Sequence, residues 1–163
     1  MAQAHPKPGL RPFLPDDVPM LAAIFAASIQ ELTGDDYSEA QQEAWMEAAE
    51  TAEFGKRLAA DLTLIATLEG SPVGFASLRG ADHIRMLYVH PAVGRQGIAT
   101  MLVDALEKLA GGRGAAALTV DASDTAQNFF AKRGYTAQQR NSVTMNDEWL
   151  ANTTMKKTLG AAQ

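Results

Sequence analysis

IRMLYVHPAVGRQGIATMLVDALEKL, residues 84–109, is the stretch whose reading decides the fold. Ile84 to His90 is an apolar run of strand length, followed by a loop opened by Pro91 and a glycine-bearing turn from Gly94 to Ala99. Ile98, Met101, Leu102, Ala105, Leu106 and Leu109 then recur on one face at helical spacing, which predicts an amphipathic helix. The first turn of a helix carries N–H groups without partners and the positive end of the macrodipole, so a strand feeding a helix through such a turn forms an anion site. Arg95 adds a fixed positive charge there.

Working outward, the upstream chain predicts a loose tail over residues 1–9, a short edge strand from Leu10 to Phe13, and a helix capped by Asp16 or Asp17 that runs to about Leu32. Ser38-Glu-Ala-Gln has the form of a capping box and starts a second helix; a third covers Ala52 to Ala60. Leu62 to Glu69 and Val73 to Arg79 flank Glu69-Gly70-Ser71-Pro72, a hairpin signal, and His83 to His90 follows as the next antiparallel strand. Downstream, Ala116 to Ala122 returns through the helical crossover and is expected to lie parallel to the Ile84 to His90 strand. A short helix capped by Ser123 or Asp124 ends at Gly134, and two last strands occupy Tyr135 to Met145 and Trp149 to Thr158. The fold class is α/β, a mixed and mostly antiparallel sheet flanked by helices, in a single domain spanning residues 1–163.

The chain contains no cysteine, which excludes disulfides, thiolate metal ligands and a cysteine nucleophile. With no signal-like start and no apolar run long enough to span a bilayer, a cytoplasmic protein is expected. A net charge of −5 argues against nucleic acid or an anionic membrane as partner. The charge is uneven: residues 31–61 hold nine acids against Lys56 and Arg57, a local balance of −7.

Two motifs resemble those of the GCN5-related N-acetyltransferase superfamily. Val89-His90-Pro91, the Arg95-Gln96-Gly97-Ile98-Ala99 turn and Leu102 are similar to its acetyl-CoA motif; the segment from Ser123 through Asn128, Phe129, Phe130 and Gly134-Tyr135 is similar to its second motif. The resemblance implies a GNAT-like fold and acetyl-CoA as the acyl donor, with no metal. It implies that pyrophosphate lies on the N–H groups of Arg95, Gln96, Gly97, Ile98, Ala99 and Thr100, with pantetheine along the edge of Leu87, Tyr88 and Val89 where two central strands splay. Asn128 and Phe130 complete the implied cofactor contacts.

The implied reaction is direct transfer of acetyl to a primary amine of a small molecule or peptide. It needs a base for the amine, a donor for the developing oxyanion and a route for the departing thiolate. Relatives with a glutamate on the central strand place it six residues before the strand's last residue; here that position is His83, a residue that titrates near neutrality. A backbone N–H near Tyr88 is the implied oxyanion donor. Many relatives carry a tyrosine as acid where this chain has Phe130, so Ser123, Tyr135 or solvent substitutes, or the thiolate leaves unassisted. Gly94 is a second departure, replacing a Gln or Arg and removing one side-chain contact. The acidic segment, with Tyr37, Trp45 and Phe54 as walls, would favour a cationic acceptor. The resemblance also allows a homodimer. The alternative function is an acyl-CoA-binding sensor or partner domain with little transferase activity, motivated by Phe130.

Overall fold

The structure, a computed structural model, describes residues 7–160, so part of the expected tail lies outside the described residues. Its elements in chain order are β1 (Gly9–Pro12), α1 (Val18–Leu32), α2 (Glu39–Met46), α3 (Ala52–Ala60), β2 (Leu62–Leu68), β3 (Ser71–Arg79) and β4 (His83–Val89). After the turn follow α4 (Ile98–Gly112), β5 (Ala117–Ser123), α5 (Gln127–Lys132), β6 (Thr136–Met145) and β7 (Glu148–Thr158). Gly9 already belongs to β1, which shortens the expected tail.

Local chemistry accounts for most boundaries. The Ser38 hydroxyl accepts from the Gln41 backbone N–H at 3.1 Å while the Gln41 side-chain Oε1 accepts from the Ser38 N–H at 2.8 Å, a complete capping box at the start of α2. Glu69 and Gly70 both adopt positive φ, 51° and 84°, and turn β2 into β3. Asp17 stands at the N-cap of α1 without capping it, contrary to the sequence expectation. Its carboxylate accepts instead from the Leu14 N–H and from Arg11, tying β1 to the entry of α1.

The seven strands form one sheet in the order β1-β2-β3-β4-β5-β7-β6. The β4–β5 pair alone is parallel, as the crossover through α4 requires, and it comprises two residue pairs, His83 with Thr119 and Ile84 with Val120. Beyond them the strands diverge, while β5 stays paired with β7 along its whole length. The sheet separates two apolar cores. Leu102, Leu106, Ile84, Val120 and Phe130 fill the α4 side; Leu21, Ile24, Phe25, Phe54 and Phe75 fill the side of α1 and α3.

Close approach of α4 to the sheet depends on Gly74 in β3. A Cβ there would stand 3.1 Å from Ile98 Cγ2 and 3.1 Å from the Tyr88 carbonyl oxygen, and the latter is backbone that cannot yield. Gly74→Val is therefore expected to lower stability by about 1–3 kcal/mol through overpacking, read as a reduced urea midpoint at unchanged slope.

Candidate active site

Divergence of β4 from β5 opens a cleft of about 650 Å³ that cuts through the sheet and is walled by α1, Tyr37 and Trp45 on one side and by β7 and Phe130 on the other. The His90 N–H donates to the Val73 carbonyl at 2.8 Å, so at that point β4 still pairs with β3. Strand alternation then directs the N–H and C=O groups of Leu87 and Val89 to the opposite side, from which β5 has departed. These are open ladder positions facing the cleft. Tyr88's own N–H is turned toward β3, so the backbone donor near Tyr88 belongs to its neighbours.

At the end of the cleft, the loop before α4 bends through Arg95 at φ 66° and Gly97 at φ 77°. Among the described residues, no acceptor pairs with the backbone N–H groups of Arg95, Gln96, Gly97, Ile98, Ala99 or Thr100; the first intrahelical bond runs from Met101 N–H to the Gly97 carbonyl, at 3.0 Å. A Cβ on Gly97 would meet nothing within 4 Å, so the space in front of this cradle is open. Converging unpaired donors at a helix start fit a phosphate-bearing group. Gly94 adds no donor, because its N–H is bound to the Pro91 carbonyl.

A polar floor lies on the α1 side of the splay. Ile84, Val120 and Ala122 face the α4 core, so the alternating residues His83, Thr119, Asp121 and Ser123 face the other way. His83 Nδ1 lies 2.8 Å from Thr119 Oγ1, and that hydroxyl lies 3.3 Å from the Asp82 carbonyl. A threonine hydroxyl has one proton; given to Asp82, it leaves Thr119 to accept from His83 Nδ1–H. The network thus assigns the tautomer with the lone pair on Nε2. Nε2 is 3.9 Å from Asp121 Oδ2. Burial, and next the charges of Arg79 and Arg85, hold the His83 pKa below its ordinary value, against opposing pulls from Asp121 and Asp82. His83 is accordingly neutral at neutral pH.

Arg85 reaches this floor through a bulge. Ser77 pairs with Met86 and Leu78 with Ile84, leaving Arg85 as the extra residue of β4. Its Nε lies 2.8 Å from Asp61 Oδ2 and its Nη2 donates to Asp61 Oδ1 at 3.1 Å; the Asp61 side chain is only 3% exposed.

The cleft brings together His83, Leu87, Tyr88, Val89, Ala99, Ser123 and Phe130. Neither Ser123 nor Asp124 caps α5, contrary to the sequence expectation: the N-cap is Ala126, without a side-chain cap, and Ser123 accepts from the Ala126 N–H at 3.1 Å in the turn before the helix, a bond that leaves the serine proton available. The Tyr88 hydroxyl accepts from Trp45 Nε1 at 3.3 Å, and burial pushes its pKa up to about 12, so it stays protonated. Tyr135 does not join them. Gly134, at φ 94°, turns the chain so that Tyr135 packs on Phe130 in the α4 core and donates to Glu107 Oε2 at 2.8 Å, which removes it as a proton donor to the cleft. Asn128 is likewise no part of the cleft lining: it is exposed on α5, while Phe130 on the buried face of that helix reaches the cleft. Of the expected aromatic walls, Tyr37 and Trp45 line the cleft and Phe54 is core; on β7, Asn152 lines the cleft, Met155 is core, and Trp149 is 63% exposed.

Residues that the sequence did not single out are Thr119, Asp121 and the three arginines Arg57, Arg79 and Arg85, all on the cleft or bonded to its histidine. The acids of residues 31–61 contribute none of the cleft lining; Glu47, Glu50 and Glu53 line a neighbouring groove.

The chain matches the acetyltransferase (GNAT) domain family over residues 33–159, and it belongs to that family. It is 33% identical over 147 residues to the uncharacterized N-acetyltransferase YafP of Escherichia coli, covering 90% of this chain and 93% of that one. The crystal structure of a GCN5-related N-acetyltransferase from Rhodopseudomonas palustris superposes with a TM-score of 0.93 at 63% identity, covering 98% of this chain and 100% of that one. The PaiA N-acetyltransferase of Thermoplasma acidophilum, solved with coenzyme A, shares the fold at a TM-score of 0.77 and 18% identity, covering 93% and 99%.

Two outcomes follow from the histidine. In the folded protein its pKa lies below the unfolded value near 6.5, so the unfolded state binds more protons as the pH falls through 6.5. The wild type should lose stability relative to His83→Gln below that pH and match its pH dependence above it, as urea unfolding will read. Thr119→Val should convert the His83 ¹⁵N signals from a single Nδ1–H form to mixed tautomers, with Thr119→Ser restoring the original pattern.

Proposed function

We propose that the protein is an acetyl-CoA-dependent N-acetyltransferase that transfers acetyl directly to a primary amine. The observation that carries this reading is the open edge of β4 joined end to end with the unpaired N–H cradle of residues 95–100. An amide-rich pantetheine arm adds to such an edge as an extra strand, and pyrophosphate suits the cradle with Arg95 as countercharge. When bound, the cosubstrate supplies an activated thioester; the chain's own residues supply the rest.

His83 Nε2, unprotonated and facing the cleft, accepts the amine proton as the new C–N bond forms. A backbone N–H at Leu87 or Val89 stabilises charge on the acyl oxygen. Phe130 gives no proton to the leaving sulfur. A thiol with a pKa of about 8.5 leaves tolerably as thiolate at neutral pH, and the Ser123 hydroxyl is available to donate to it.

Phe130 also motivates the second reading, a domain that binds acyl-CoA without transferring. Free-thiol release from acetyl-CoA across amino acids, polyamines, aminoglycosides and lysine peptides separates the two. Release with an acetylated product supports the enzyme; tight CoA binding with no release across the panel supports the sensor. His83→Gln should lower kcat at least about 100-fold, the scale of general-base catalysis, with CoA affinity retained.

Gly97→Asp and Gly97→Asn are nearly isosteric and both residue types tolerate positive φ. The aspartate should weaken CoA binding by about ten-fold or more relative to the asparagine in calorimetry, because only the aspartate places a negative charge before the cradle. Equal affinities would remove the phosphate assignment.

A further inference from the structure

We infer that the acceptor is an amino acid, an amine that also carries a carboxylate, recognised at the arginine-lined end of the cleft; this rests on the transferase reading above. Arg57, Arg79 and Arg85 come from three separate elements, α3, β3 and β4, and line the same cleft as His83. Asp121 is the one acid in that lining, so the cleft wall is cationic although the chain and its acidic helices are anionic.

Arg85 is the anchor of this end. It occupies the bulge of β4, and bulges next to a site re-aim a side chain that regular alternation would place differently. The buried Asp61 carboxylate holds its guanidinium by one hydrogen bond, from Nη2, with Nε in ion-pair contact, while Nη1 has no hydrogen-bond partner among the described residues and the residue lines the cleft. A guanidinium held by one carboxylate and open on another edge is a preorganised donor for a second. Asp61 cancels much of the Arg85 charge and Arg57 also borders the groove that holds Glu47, Glu50 and Glu53, but Arg79 and Arg57 form no ion pair among the described residues, and Arg79 lies on the cleft alone.

Opposite charge stands near His83. Asp121 Oδ2 is 3.9 Å from His83 Nε2 and attracts an ammonium to the atom that is to receive its proton. Arg79 and Arg85 act electrostatically on the same histidine, so the anionic and cationic subsites lie within one small molecule's reach of each other. An acceptor with both charges satisfies both; a simple alkylamine or polyamine would set its chain against the arginines. The C–N bond forms as the C–S bond breaks: the amine nitrogen replaces sulfur on the acetyl carbon, the sulfur departs as the CoA thiolate, and the proton lost from nitrogen leaves through His83.

The test uses the full chain with saturating acetyl-CoA and matched acceptor pairs: lysine against 1,5-diaminopentane, phenylalanine against phenethylamine. Thiol release and product mass should give the carboxylate-bearing member about ten-fold or more advantage in kcat/KM, expressed mainly in KM. Arg79→Gln and Arg57→Gln, both at exposed positions that hold no core contact, should each move that ratio toward one. A ratio of one or an advantage for the decarboxylated amines in the wild type overturns the inference. A calorimetric arm titrates N-acetylphenylalanine and N-acetylphenethylamine into the protein–CoA complex. If no acceptor releases thiol, the transferase reading fails, and the anion subsite is then judged on this arm: tighter binding of the acid upholds it, equal binding overturns it.

Discussion

Two residue pairs, His83 with Thr119 and Ile84 with Val120, are the whole of the backbone ladder that joins the two halves of the sheet. Everything functional follows from how short that ladder is. Were it continued, the polar edges of Leu87 and Val89 would be consumed by β5 and no cleft would exist. Were it absent, His83 would lose the register that sets it beside Thr119. The chain therefore keeps enough pairing to align the floor and leaves the rest of the β4 edge open, while β5 stays paired with β7 along its whole length.

The site's electrostatics are local. A chain at −5 presents a cleft whose lining holds three arginines and one aspartate, because the helices that carry the acids turn them toward a neighbouring groove and toward solvent. Composition averages over both. What decides recognition is which side chains share a wall, and here the sheet bulge at Arg85 and the buried Asp61 beneath it determine one of them.

Much of the architecture was legible in the sequence because its signals are periodic or local. The helix at Ile98–Gly112, the capping box at Ser38, the hairpin at Glu69-Gly70 and the cradle before α4 each depend on neighbours within a few residues. The cleft was less so. Tyr135 and Asn128 sit within a recognisable motif, yet Tyr135 is drawn to Glu107, 28 residues away, and Asn128 falls on the exposed side of a short helix. Thr119, Asp121 and Arg85 acquire their roles from strand pairing and from an unpaired residue in β4, neither of which leaves a local pattern.

Tyr37 shows a further consequence. Its hydroxyl donates to the Ala151 carbonyl at 2.6 Å and accepts from the Asp124 N–H at 2.9 Å, joining the segment before α2 to β7 and to the lip after β5. The partners are 114 and 87 residues distant along the chain. During synthesis the N-terminal helices and β1–β4 emerge without the strand that completes the cleft wall, and β5 waits for β7 to flank it. The cleft is thus complete only when segments from both ends of the described chain are in place, which ties its geometry to long-range pairing instead of to any one local element.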